Sequence, residues 1–195
     1  MEGKKIDITG LLWQIRIEAT EYMTYFSREK KPAERKSEVW TKPTDGVLKI
    51  NTDGSFCAAS SSGGWGYVIR DHDGDVVVAA AGRISHAQDA LQGEAEACIF
   101  ALYKAQELGI TRVVVETDAT LLVHAIKSSN FDLSSNGVLF REIKTFASLN
   151  FSFFFHIIHC PRACNKVANA LALYGACTPS RMAGSCPYLC PVFCC

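Results

Sequence analysis

Apolar and polar positions alternate over 47–56, with Leu48 and Ile50 on one side and Lys49, Asn51 and Asp53 on the other. That is the two-residue period of a β-strand. The same reading predicts strands over 64–70 and 75–83, joined at Asp71-His72-Asp73-Gly74, where the Asp-Gly pair suits a tight turn. Three consecutive strands with short links predict an antiparallel meander. The period then changes. Residues 88–108 follow the helical repeat, and Gly109 stands where a helix-ending glycine belongs. The Val113-Val114-Val115 run within 111–117 suits a strand covered on both faces. A short helix is expected over 119–127, and another, capped by Ser134 or Ser135, to about 149. A β-prone run over 151–159 and an Ala- and Leu-rich helix over 165–176 complete the order β-β-β-α-β-α-α-β-α. Such an order predicts an α/β fold on a mixed sheet.

The two ends read differently. Ile8, Leu11, Leu12, Ile15, Ala19, Tyr22 and Phe26 recur at helical spacing over 8–26, and a charged stretch with Pro32 follows to Ser37. Residues 178–195 show no period and carry prolines and Gly184, which predicts a loose, cysteine-rich tail. The expected organisation is an N-terminal helix and linker over 1–37, a domain over 38–177, and the tail. The apolar stripe of the first helix calls for an accessory surface or a second chain to cover it; the domain itself is expected to be monomeric.

Composition narrows the classes. With 195 residues and 48% hydrophobic positions, the chain can bury the core of one ordinary domain. Twenty basic and twenty acidic residues balance, so any contact with nucleic acid must come from a local patch or a metal site. No apolar run reaches the roughly 18 residues of a membrane helix, and no signal-peptide core follows Met1, so an intracellular protein, nuclear or cytoplasmic, is expected. Of nine cysteines, four lie in the last ten residues. Neither these nor Cys160 and Cys164 match the paired spacing of structural zinc sites, and free thiols are expected.

Three acids stand out. From Glu94, the residues Ala97, Cys98, Ala101, Leu102 and Ala105 fall on one small, apolar helix face, while Glu96 lies about 200° away. A carboxylate on a buried stripe needs a partner, a proton or a metal. Its plainer reading is an acid favoured by the helix N-terminus. Asp118 ends the Val-rich strand, where a helix N-cap is the plain alternative. Asp53 sits in Thr52-Asp53-Gly54-Ser55, where turn chemistry is the plain alternative. Taken together, each acid lies near a strand end or on a sheet-facing stripe. Converging carboxylates without basic partners repel unless a divalent cation neutralises them, and oxygen-only ligands suit Mg²⁺ or Mn²⁺.

These residues also carry a family resemblance. Leu48-Lys49-Ile50-Asn51-Thr52-Asp53-Gly54-Ser55, Gly63-Gly64-Trp65-Gly66-Tyr67-Val68-Ile69-Arg70-Asp71, Gly93-Glu94-Ala95-Glu96-Ala97 with Ala101-Leu102, Val115-Glu116-Thr117-Asp118, and His159-Cys160-Pro161-Arg162 with Asn165-Lys166-Val167-Ala168 stand in the order of a type 1 ribonuclease H domain. The resemblance is closest to the group found in plant non-LTR retroelements and their domesticated relatives, and Trp40 to Gly46 resembles that group's lead-in. It implies the ribonuclease H-like five-stranded mixed sheet with flanking helices. It also implies hydrolysis of the RNA strand of an RNA–DNA hybrid with two Mg²⁺ ions, replaceable by Mn²⁺. On that scheme Asp53 bridges both ions, Glu94 and Asp118 hold one, and Asn169 assists the other. His159 matches a mobile histidine that helps late steps. Gly54, Ser55, Gly63, Gly64, Gly66 and Asn165 would face the nucleic acid. One departure matters: the family's fourth acidic position is Asn169, which keeps an oxygen but not the charge. Weakened activity, or a non-catalytic module that binds nucleic acid or protein, is the alternative this departure raises.

Overall fold

The alternating segments fold as expected. Strands β1 (Leu48–Cys57), β2 (Ser62–Arg70) and β3 (Val76–Ile84) form the antiparallel meander. Helix α1 (Ala90–Glu107), β4 (Arg112–Thr117), α2 (Thr120–Lys127), α3 (Gly137–Asn150), β5 (Phe154–His159) and α4 (Lys166–Cys177) follow. A single 3-10 turn, Arg162–Cys164, leads into α4. The computed structural model describes residues 39–151 and 154–178. The helix expected over 8–26, its linker and the tail beyond Thr178 lie outside the described residues.

The five strands run in the order β3-β2-β1-β4-β5. β1 is central, antiparallel to β2 and parallel to β4, and β5 is parallel to β4. Both faces are covered. Trp65 of β2 meets Phe100 of α1 with ring centroids 4.9 Å apart. From the opposite face, α4 approaches so closely that a Cβ on Gly64 would lie 2.2 Å from the Ala176 nitrogen, and one on Gly66 2.4 Å from the Ala172 nitrogen. The main core lies on the α1 side, around Ile50, Ile69, Leu102, Val113, Val115, Leu122, Phe140 and Ile143, all fully enclosed. Burial of this kind contributes about 25 cal/mol per Å² of apolar surface.

Local signals set the boundaries. Asp89 caps α1 by accepting from the Gln92 N–H at 2.7 Å, and Gly109 ends the helix at φ +73°. Gly74 closes the β2–β3 turn at φ +86°, while the Asp71 carboxylate accepts from the N–H groups of Asp73 and Asp75.

Two expectations change. Neither Ser134 nor Ser135 caps α3; Ser134 bonds back to the Phe131 carbonyl, and the helix starts after Asn136. The Asn136 side chain is drawn instead to the Asp89 carboxylate, at 3.1 Å from both oxygens. β5 begins at Phe154, because Phe151 still belongs to the end of α3, its N–H bonded to the Ala147 carbonyl. The polar side of β1 is enclosed too: Lys49, Asn51 and Asp53 are all buried.

Candidate metal centre

The β1–β4 ladder ends at the pair Asn51–Glu116. Two residues further on, β1 presents Asp53 and β4 has given way to Asp118. The strands have parted there, and α1 fills the opening from the other face. Gly54 makes this possible. A Cβ at that position would stand 2.2 Å from the Gly93 carbonyl carbon and 2.3 Å from the Glu94 nitrogen. Glycine therefore lets the first turn of α1 rest directly on β1, which brings Glu94 alongside Asp53. One carboxylate oxygen from each of Asp53, Glu94 and Asp118 lies within 4.8 Å of the other two.

None of the three takes its plain alternative. Asp53 is not in a turn, since β1 runs through it and on to Cys57, and it is only 3% exposed. Asp118 does not cap α2; the residue in that place is Ala119, whose N–H bonds to the Thr117 hydroxyl. Glu94 faces inward with Ala97, Cys98, Ala101, Leu102 and Ala105, all enclosed, while Glu96 accepts a bond from Gln92 on the outer side.

The surroundings determine the charge state. Burial is the main force holding the Asp53 carboxyl up at about 6; the hydrogen bond from Asn169 opposes it, and nearby Asp118 adds to it. Burial again leads for Glu94, pushed up to about 9, with Asp53 and Asp118 adding repulsion and the Gly54 N–H opposing. Asp118 is held in place by Asn165, whose amide donates to it at 2.7 Å and to the Thr52 carbonyl at 2.9 Å. The cluster does have a cation at its rim: the Arg162 guanidinium stands 3.9 Å from Asp118, with 75% of its side chain exposed. At that distance and exposure it offsets little of the repulsion. Three gathered oxygen donors whose repulsion the neighbouring amides and Arg162 offset only in part suit a hard divalent cation, and these residues fit one.

Asn169, one turn into α4, donates its amide N–H to Asp53 at 2.8 Å. The fourth position thus meets the first, but presents a donor to it. His159 is exposed at the end of β5, opposite Thr117 in the β4–β5 register and so one residue from Asp118. The remaining sequence-derived positions are mostly enclosed. Gly63, Gly64 and Gly66 are buried, and the close approach they allow is to this chain's own backbone: Ser55 in front of Gly63, α4 above the other two. Asn165 is buried as well, as a holder of Asp118. Of the six positions expected to face nucleic acid, only Gly54 and Ser55 are partly exposed.

Sequence reasoning missed one group. Glu116 is buried with Lys49 at 2.6 Å and accepts from Asn51 at 2.9 Å. The signal was available: an acid on a strand two residues before the third acid of the cluster, with a lysine on the polar side of another strand of the same sheet.

A mixed five-stranded α/β sheet with three acids gathered where its central strands part defines a domain of the ribonuclease H-like class. Residues 51–175 match the reverse transcriptase-like family, and the chain belongs to it as a ribonuclease H-like domain. An Arabidopsis thaliana protein named as a ribonuclease H protein is 30% identical over 135 residues, or 69% of this chain. The chain spans 21% of that relative's length. Among solved structures, RNase H1 of the archaeon Halobacterium salinarum is 24% identical with a TM-score of 0.56, covering 66% of this chain and 96% of its own. LC11-RNase H1, isolated from compost, is 24% identical with a TM-score of 0.61, covering 68% and 99%. The same LC11 protein in complex with an RNA/DNA hybrid gives a TM-score of 0.60. These structures share the fold.

Proposed function

We propose that the domain is a metal-dependent endonuclease that hydrolyses the RNA strand of RNA–DNA hybrids. The observation that carries this reading is the set of carboxylate oxygens of Asp53, Glu94 and Asp118, gathered within 4.8 Å at the end of the β1–β4 ladder of a ribonuclease H-like fold. Asp53, next to the other two acids and Asn169, would be the shared holder of two Mg²⁺ ions, with Glu94 and Asp118 helping to hold one and Asn169 assisting the other. Mn²⁺ substitutes. Bound divalent cations supply an activated water and neutralise charge on the scissile phosphate.

The chain's own groups do the rest. Asn165 keeps Asp118 turned toward the site. Thr117 donates to Glu94 at 3.5 Å. His159 and Arg162 sit on the exposed side next to Asp118, where an incoming phosphate and a departing product must pass. RNA is selected through its 2′-hydroxyls in the minor groove. Gly54 and Ser55 are the positions left to approach the strand.

The test is cleavage of an end-labelled RNA–DNA hybrid in Mg²⁺ and again in Mn²⁺, with Asp53→Asn as the control. Metal-dependent cuts in the RNA strand that vanish in the control support the reading. The second reading is a non-catalytic module of plant retroelement origin that binds nucleic acid or protein. Its specific support is Asn169, whose amide donates to Asp53 where the family has a fourth acid. Binding of the hybrid without cleavage under either metal favours it. Among the described residues no helix is long and apolar enough to cross a membrane, and a nuclear or cytoplasmic setting accords with a hybrid substrate.

A further inference from the structure

Behind the three acids lies a second cluster of charge. Lys49 and Glu116 form an ion pair at 2.6 Å with side chains only 6% and 8% exposed. The Lys49 ammonium also donates to the Thr41 carbonyl at 2.6 Å. Asn51 joins the two strands, donating to Glu116 at 2.9 Å and accepting from the Trp40 indole at 2.9 Å and the Arg70 guanidinium at 3.3 Å. Trp40 covers the cluster, with Lys49 and Arg70 over its ring at 5.3 and 4.8 Å from the centroid. Leaving water is expensive for charges, and such pairs seldom persist as a source of stability alone. Their position suggests another purpose. Asn51 and Glu116 are the last rung of the β1–β4 ladder, and each precedes a site acid by two residues, on the same face of its strand. At roughly 3.3 Å per residue the rung is about 7 Å behind the site.

We propose that the Glu116–Lys49 pair is the supporting charge layer of the metal site, with Glu116 setting how strongly Asp53, Glu94 and Asp118 attract a divalent cation. This rests on the metal-site reading above. Two cations, Lys49 and Arg70, stand behind the acids with Glu116 as their buried counter-charge. Without Glu116 both cations would oppose an incoming Mg²⁺ or Mn²⁺. Without Lys49 the layer would be neutral and opposition would fall. A unit charge about 10 Å from a divalent cation alters its affinity roughly fourfold even at the dielectric of water, and more in a shielded setting.

The two roles open to this pair predict different results. If it only supports structure, Glu116→Gln and Lys49→Met both lower the melting temperature and both weaken cation binding. If it sets the field, both still lower the melting temperature, but their effects on affinity have opposite signs. The experiment is calorimetric titration of Mn²⁺ into the 195-residue chain, wild type and variants, with melting temperatures measured alongside. Glu116→Gln, which keeps an acceptor for Lys49 and Asn51, is expected to raise the Mn²⁺ Kd at least about threefold. Lys49→Met is expected to lower it. The double variant should return within about twofold of wild type. Should Glu116→Gln fail to fold, Lys49→Met carries the test alone, because only the field role has it lower the Kd; should Lys49→Met fail to fold, Lys49→Gln takes its place. Shifts of the same sign, or none, overturn the proposal while leaving the metal site standing. If wild type binds Mn²⁺ no better than Asp53→Asn, the metal-site reading fails and this inference with it.

Discussion

Gly54 and Glu94 touch through their backbones: a Cβ on Gly54 would stand 2.3 Å from the Glu94 nitrogen. This contact seats the first turn of α1 on β1, so the position of Glu94 depends on the absence of a side chain 40 residues earlier in sequence.

Gly54→Ala should therefore cost about 1–3 kcal/mol, the usual range for forcing a group into a filled core, and should weaken divalent-cation binding further by displacing Glu94. Gly93→Ala is the contrasting change, since its Cβ would meet nothing nearer than 3.4 Å. Thermal melting and Mn²⁺ titration of both variants check this. A Gly54→Ala protein with wild-type melting temperature and affinity would count against the contact as the device that places Glu94.

The raised carboxyls make stability depend on pH. In the unfolded chain Asp53 and Glu94 ionise near pH 4, whereas in the folded protein they hold their protons up to about 6 and about 9. The folded state binds more protons across that window, so stability declines as pH rises from about 4 to about 9. Burial is the first cause for both groups. In chelator, the melting temperature should fall between pH 5 and pH 9, and the slope should shrink in the variant carrying both Asp53→Asn and Glu94→Gln. Because a cation favours the ionised acids, Mg²⁺ should raise the melting temperature more at pH 9 than at pH 5. An equal rise at both would argue against cation binding at these groups.

Asn169 gives a crossover. Its amide relieves Asp53 by donating to it at 2.8 Å. Asn169→Asp replaces that donor with a fourth acid, so the metal-free protein should melt lower. With Mg²⁺ or Mn²⁺ the added charge should raise affinity and, on the nuclease reading, cleavage at low metal. Wild type is expected to need high Mg²⁺ or to prefer Mn²⁺. Identical metal titrations for the two proteins would refute the weakened-site argument. Inactivity of Asn169→Asp in every metal would shift weight to the non-catalytic module.

The described residues fall in one compact unit. Deleting 1–37 is expected to leave its melting temperature nearly unchanged, whereas Trp40→Ala should cost about 2 kcal/mol, below the range for a fully buried tryptophan, because it uncovers Lys49 and Asn51. Melting curves of the two proteins decide the boundary. A large drop on deletion would assign the N-terminal segment to the core.

The sequence carried the architecture because both periods are clean: alternation around Ile50, and the helical stripe through Leu102 that ends at Gly109. Period alone points only Glu94 inward; Asp53 and Asp118 each had a plainer local reading and stood out only together and through the order of the family's motifs. What it hid was mostly the partner of each polar group. Asn136 displaces Ser134 as the residue before α3 because Asp89 attracts its amide from 47 residues away. Gly64 and Gly66 resemble a surface built for a ligand until α4 is in place, and Glu116 resembles an ordinary strand residue until Lys49 is beside it. Such pairings join distant segments, and no local pattern records them.

The glycine bed beneath α4 also has a consequence in time. During synthesis every strand is complete before the helix that fills the bed has been made. Until residues 165–177 emerge, Gly64 and Gly66 line an open trough, Asp53 lacks Asn169 and Asp118 lacks Asn165. A chain ending at residue 160 should accordingly lose cooperative melting, and a sharp transition in that fragment would contradict the point. The centre is assembled only when the last helix closes over a finished sheet, so a nascent chain carries its acids long before it carries a site.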